Sequence, residues 1–110
     1  MYEYNAVVVD VHDGDTFRAD IDLGFGVWRH KEIFRMLGIN TPELGVPDKV
    51  PGIKARDRLR QLILGKQIFI KTVKDQREKY GRYLATIITV EGVNVNDLMI
   101  EEGLAVKATY

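Results

Sequence analysis

At 110 residues the chain can build one hydrophobic core and not two, so residues 1–110 are expected to form a single domain. Apolar residues at 45% and charged residues at 29% exclude a disordered polymer, and the absence of cysteine excludes both a disulfide framework and a thiolate metal site. Equal numbers of basic and acidic residues, 16 each, leave no net charge and argue against a polyanion binder acting by bulk charge.

The first five residues contain no Lys or Arg and run directly into Val7-Val8-Val9, which lacks the basic start and long apolar stretch of a leader. No apolar run approaches the ~20 residues needed to span a bilayer. A cytoplasmic protein without membrane contacts is expected, or a secreted one whose leader has been removed.

Ala6 to Val11 is rich in β-branched residues and predicts a strand, closed by the hairpin dipeptide Asp13-Gly14. Phe17, Ala19, Ile21 and Leu23 alternate with Arg18, Asp20 and Asp22, the pattern of a half-buried second strand. Gly24-Phe25-Gly26 turns the chain into a third strand, Trp28 to Leu37. Gly38 to Gly52 holds Pro42, Pro47 and Pro51 and reads as a long loop, of a length that is usually functional in so small a domain.

A helix follows, with Ala55, Leu59, Leu62 and Ile63 on one face, Lys54, Arg56, Arg58 and Arg60 on the other, and Gly65 as its stop. Gln67–Val73 and Arg82–Val90 predict two more strands, and Asn96 is expected to cap a short helix, Asp97–Glu102, ended by Gly103. Trp28, Phe34 and Phe69 are expected in the core. Three strands, a helix, two strands and a helix make an α+β, mainly β chain in the order of a five-stranded OB-type Greek-key barrel.

Charge is sorted along this order. Residues 1–28 carry one Arg against six acids, residues 29–82 carry fourteen Lys or Arg against six acids, and residues 83–110 carry one Lys against four acids. An acidic pocket beside a basic face would give these counts, and so would chance clustering on a solvated surface.

Three clusters combine residues able to do chemistry. Asp13-Gly14-Asp15-Thr16 is a hairpin turn followed by a second acid that turn formation does not need. Arg35 lies inside an apolar strand, where a guanidinium is costly unless it meets a carboxylate or a phosphate, and Asn40-Thr41-Pro42-Glu43 follows it. The third is Lys79-Tyr80-Gly81-Arg82, between two strands. Each alone is an ordinary turn. His12 and His30 are too few for a zinc site and are read as non-catalytic.

Taken together and in order, the three clusters resemble the staphylococcal nuclease family, whose motifs are Asp-Gly-Asp-Thr, then Arg-x-x-x-x-Asp-Thr-Pro-Glu, then Tyr-Gly-Arg. The resemblance runs from about Ala6 to Lys107. It implies a Ca²⁺-dependent endonuclease that cleaves DNA and RNA at the 5′ P–O bond and leaves 3′-phosphates, acting as a monomer on single-stranded or frayed substrate. By the same resemblance Asp15, Asn40 and the Thr41 carbonyl would ligate the calcium. Glu43 would serve as general base, Arg35 and Arg82 would clamp the phosphate, and Lys79, Tyr80 and Tyr110 would contact the nucleotide.

Two departures stand out. Asn40 replaces the family's Asp, and an amide oxygen brings no charge, so weaker metal binding is expected. The chain ends at Tyr110, where secreted members continue and carry two tyrosines against the nucleotide, so stacking on that flank is expected to be reduced. The rival readings are a non-catalytic OB barrel that binds nucleic acid through a basic groove, and a protein-interaction barrel. The first leaves the acids beside two arginines without purpose, and the second leaves the positive charge of residues 54–82 unexplained.

Overall fold

The computed structural model describes residues 2–77 and 81–108. Five strands close into a barrel: β1 (Tyr2–Asp13), β2 (Thr16–Asp22), β3 (Trp28–Met36), β5 (Gln67–Arg77) and β6 (Tyr83–Thr89). The order around the barrel is β1-β2-β3-β6-β5, and β5 pairs back onto β1. Only β3 and β6 run parallel, which is the strand order expected of an OB-type barrel.

The first strand is longer than its apolar segment suggests, because it serves two neighbours. Tyr2–Val7 pairs with β5 and Asn5–Asp13 pairs with β2. Register shifts at Val8/Asp10 and Val11/Asp13 bend it from one partner to the other. Phe17, Ala19 and Ile21 of β2 are buried and Arg18 is exposed, as the alternation requires. Phe17 stacks on its cross-strand partner Phe34 with ring centroids 5.2 Å apart.

Two aromatic expectations fail. Trp28 is 42% exposed and Phe69 39% exposed, while Phe34 is in the core. Phe69 lies between buried Ile68 and Ile70, so the pleat turns it outward. Trp28 opens β3 opposite Asp22, beside the glycine-rich tip.

Helix α1 (Val50–Ile63) closes one end of the barrel with Ala55, Leu59 and Ile63, spaced four apart on one face. It starts at Val50, earlier than its apolar spacing predicts. Asp48 accepts the Val50 N–H at 3.2 Å, and Pro51 suits a first turn, where its missing N–H is no loss. Gly52 is needed there: a Cβ would lie 2.8 Å from the carbonyl oxygen of Glu43. The Arg60 guanidinium donates to the Val11 carbonyl at 3.2 Å and fastens the helix to β1.

Helix α2 (Val95–Glu101) is capped by Asn94, whose side chain accepts the Asp97 N–H. Asn96, expected to be the cap, is buried instead. It accepts the Ile87 N–H and donates to the carbonyls of Leu37 and Ala85, joining α2 to the barrel. The predicted loop contains β4 (Ile39–Asn40), which pairs with β7 (Val106–Lys107) in a two-residue ladder. Among the described residues no helix is long and apolar enough to cross a membrane.

Candidate active site

The β1–β2 turn brings Asp15 under the start of α1. Asp13 Oδ1 accepts the Asp15 N–H at 3.1 Å, which sets the turn. Gly14 is enclosed: a Cβ would meet Ala55 Cβ at 2.7 Å and Thr41 Oγ1 at 2.8 Å. Burial first, and then the hydrogen bond and charge of Asp15, push the Asp13 carboxyl above its ordinary value.

Asp15 is 7% exposed, and its two carboxylate oxygens have different partners. Oδ2 accepts from Arg35 Nη1 at 2.9 Å and from the Thr41 N–H at 3.0 Å. Oδ1 accepts from the Thr16 hydroxyl at 3.2 Å. Arg35, expected to need a carboxylate or a phosphate, has found the carboxylate. It stands opposite Thr16 on β2 and Leu84 on β6, at the centre of the sheet, and its second terminal nitrogen donates to Asn40 Oδ1. One guanidinium therefore bridges Asp15 and Asn40.

Arg82, at the entry to β6, donates to Thr16 Oγ1 at 3.4 Å. The Thr16 hydroxyl thus accepts from Arg82 and donates to Asp15. A continuous chain results, from Arg82 through Thr16, Asp15 and Arg35 to Asn40. Nothing in the sequence reading gives Thr16 this linking role, and a hydroxyl directly after Asp15 at the start of a strand is the signal that could have found it.

Glu43 is exposed and stands on a groove with Asn40 and Thr41. Among the described residues its carboxylate has no hydrogen bond or ion pair. The structure thus gathers Asp15, Arg35, Asn40, Thr41 and Arg82 by direct bonds, with Glu43 beside them. Lys79, Tyr80 and Tyr110 lie outside the described residues. His12 is exposed, and His30 pairs with Asp20 on the barrel surface, away from this chain of contacts.

Among the described residues no three His, Asp or Glu side chains cluster as a metal cage. Asp15, Asn40 and Thr41 nonetheless carry hard oxygen donors of the type divalent cations such as Ca²⁺ take. Together they would offer one formal charge, and a cation held by them would share Asp15 and Asn40 with Arg35.

The family model described as staphylococcal nuclease homologue matches residues 33–110. An uncharacterized endonuclease of Escherichia coli is 32% identical over 98 residues, a match covering 89% of this chain and 57% of that protein. A thermonuclease of Staphylococcus hyicus is 29% identical over 106 residues, covering 94% of this chain and 59% of its own length. The endonuclease YhcR of Bacillus subtilis is 32% identical over 112 aligned positions, a match covering 94% of this chain and 9% of that protein. The chain spans a little over half the length of the first two of these relatives.

Proposed function

Because the chain belongs to the staphylococcal nuclease family, we propose that it hydrolyses phosphodiester bonds of DNA and RNA in a Ca²⁺-dependent reaction, breaking the P–O5′ bond and leaving 3′-phosphates. The observation that carries this reading is the bonded chain from Arg82 to Asn40, with the Glu43 carboxylate beside it on an open groove. Two guanidiniums flanking a set of oxygen donors suit a phosphodiester, which needs its charge met from more than one side.

Asp15, Asn40 and the Thr41 carbonyl would hold the ion. Bound Ca²⁺ supplies Lewis-acid polarisation of a phosphoryl oxygen. Glu43 accepts a proton from the attacking water at its carboxylate. The water oxygen bonds to phosphorus as the P–O5′ bond breaks, and the departing oxygen takes a proton from solvent water to become the 5′-hydroxyl, while Glu43 returns its proton to solvent. Arg82 and Arg35 donate to the phosphoryl oxygens, where negative charge grows. Thr16 keeps Arg82 in line with Asp15. By the same reading Lys79, Tyr80 and Tyr110 would contact the nucleotide, and the enzyme would act as a monomer on single-stranded or frayed substrate.

A non-catalytic nucleic-acid-binding barrel is the second reading. One observation favours it: Arg35 already engages both Asp15 and Asn40, and Asn40 offers a cation no charge. Incubation with single-stranded DNA and RNA, in Ca²⁺ and then in EGTA, separates the two. Cleavage in Ca²⁺ alone, with 3′-phosphate ends, is the expected result. Binding without Ca²⁺-stimulated cleavage overturns the nuclease reading in favour of the binder.

A further inference from the structure

Two depressions on the face that carries Glu43 join end to end. One, of about 430 Å³, is lined by Asn40, Thr41, Glu43 and the Gly103–Val106 segment. The other, of about 250 Å³, reaches Val50, Pro51 and Lys54 at the start of α1. Pro42, Gly103 and Leu104 line both, so one groove leaves the oxygen donors and runs along the first turns of the helix.

Its surface alternates in character along its length. Pro42 and Leu104 form an apolar middle, and Val50 and Val106, 63% and 65% exposed, leave apolar rims open to solvent. Lys54 stands at the far end. Three of the four cations on the basic face of α1 are occupied: Arg56 by Asp57, Arg58 by Glu102, and Arg60 by the Val11 carbonyl. Among the described residues Lys54 has no hydrogen bond or ion pair, and it is exposed.

We propose that this groove is a second nucleotide subsite, which takes the nucleotide next to the scissile phosphate of a single strand. Its base and sugar lie on Pro42 and Leu104, and its phosphate meets Lys54. The proposal rests on the nuclease reading above. Continuity with Asn40, Thr41 and Glu43 makes the groove an extension of that site rather than a separate one. An apolar floor ending in a single cation matches the repeat of a single strand, in which each stackable base is followed by one charge. The Arg56, Arg58 and Arg60 contacts explain why the basic helix offers one phosphate contact here and not four.

Calorimetric titrations of thymidine 3′,5′-bisphosphate and of tetrathymidylate, in EGTA, test the assignment. The proteins are wild type, Lys54→Glu and Val50→Asp, with melting temperature measured alongside. Both substituted residues are exposed, so the fold is expected to survive. Lys54→Glu is expected to weaken tetrathymidylate binding about tenfold and to lower the slope of log K against log salt by about 0.7, the worth of one phosphate on a single strand. Binding of the mononucleotide bisphosphate should not change. Val50→Asp should show the same selectivity for the longer ligand. Equal losses for both ligands, or none for either, overturn the subsite. Ca²⁺-dependent cleavage with unchanged tetrathymidylate affinity in Lys54→Glu overturns the subsite alone, whereas a wild type that neither binds nor cleaves overturns the nuclease reading and the subsite with it.

Discussion

Arg35 and Asp15 form an ion pair at 2.9 Å in which the side chains are 5% and 10% exposed. A pair removed from water to this extent gains little over an apolar substitute, but losing one partner strands the other charge. Arg35→Ala should therefore destabilise the fold by about 3–5 kcal/mol in urea unfolding, apart from any effect on catalysis. Arg35→Lys should recover part of this through its charge while losing the fork that also reaches Asn40. A loss under about 1 kcal/mol for Arg35→Ala would show that Asp15 does not depend on it.

The Asn40 amide sits where a second carboxylate would double the charge offered to a cation. Asn40→Asp is expected to tighten Ca²⁺ binding about tenfold, a gain of about 1.4 kcal/mol, read by calorimetry without nucleic acid. The new carboxylate would also face Arg35, so stability in EGTA should be unchanged or higher. An unchanged Ca²⁺ midpoint would remove Asn40 from the ligand set.

Glu43 and Arg82 should fail in different ways. Glu43 is exposed and, among the described residues, unpaired, so Glu43→Gln should leave melting temperature and oligonucleotide affinity near wild type. Its rate of cleavage should fall by about 10²–10⁴, the usual worth of a positioned base. Arg82→Ala should cost rate through the phosphate, and Thr16→Val should reproduce part of that loss because Thr16 links Arg82 to Asp15. Cleavage that survives Glu43→Gln undiminished would move the base elsewhere.

Arg58 and Glu102 join α1 to the end of α2 through two hydrogen bonds, at 2.6 and 2.7 Å. The Arg58 hydrogen bond, and secondarily its charge, hold the Glu102 carboxyl below its ordinary value. A carboxyl depressed in this way stabilises the fold above its unfolded value and loses that contribution as pH falls through the folded one. Glu102→Gln should lower the melting temperature slightly at pH 7, with the difference closing below the ordinary carboxyl value of 4.5. The pair is open to solvent, so added salt should shrink the difference too. A gap that persists at low pH would assign the effect to packing rather than to charge.

Much of the fold is legible in the sequence. The β2 alternation and the four-residue spacing of Ala55, Leu59 and Ile63 are local periodicities, and both elements formed where they pointed. The β4–β7 ladder has two residues on each side and no period of its own, so only tertiary contact reveals it. Asn94 and Asn96 are equally good caps by residue type, and the choice between them was made by the three backbone groups that Asn96 satisfies inside the barrel. Within the site, only the resemblance to the nuclease family grouped Asp15, Arg35, Asn40 and Arg82, since each cluster alone reads as an ordinary turn. It did not reveal that Arg35 ties Asp15 to Asn40, or that the arginines of α1 are held by internal partners.

The β4–β7 ladder sets an order of events for a chain made from its N-terminus. Ile39 and Asn40 pair with Lys107 and Val106, and the Ala108 N–H is bonded to the Gly38 carbonyl at 2.9 Å. The backbone that presents Asn40 and Thr41 is thus held by residues translated long after it. Contacts so distant in sequence close late, since the intervening chain must be ordered first. Without residues 106–108 the five barrel strands could still pair, yet the Gly38–Asn40 backbone would lose these partners. The backbone at Asn40 and Thr41 is therefore among the last to be fixed as the chain folds, so the candidate oxygen donors come into place only after the strands they depend on.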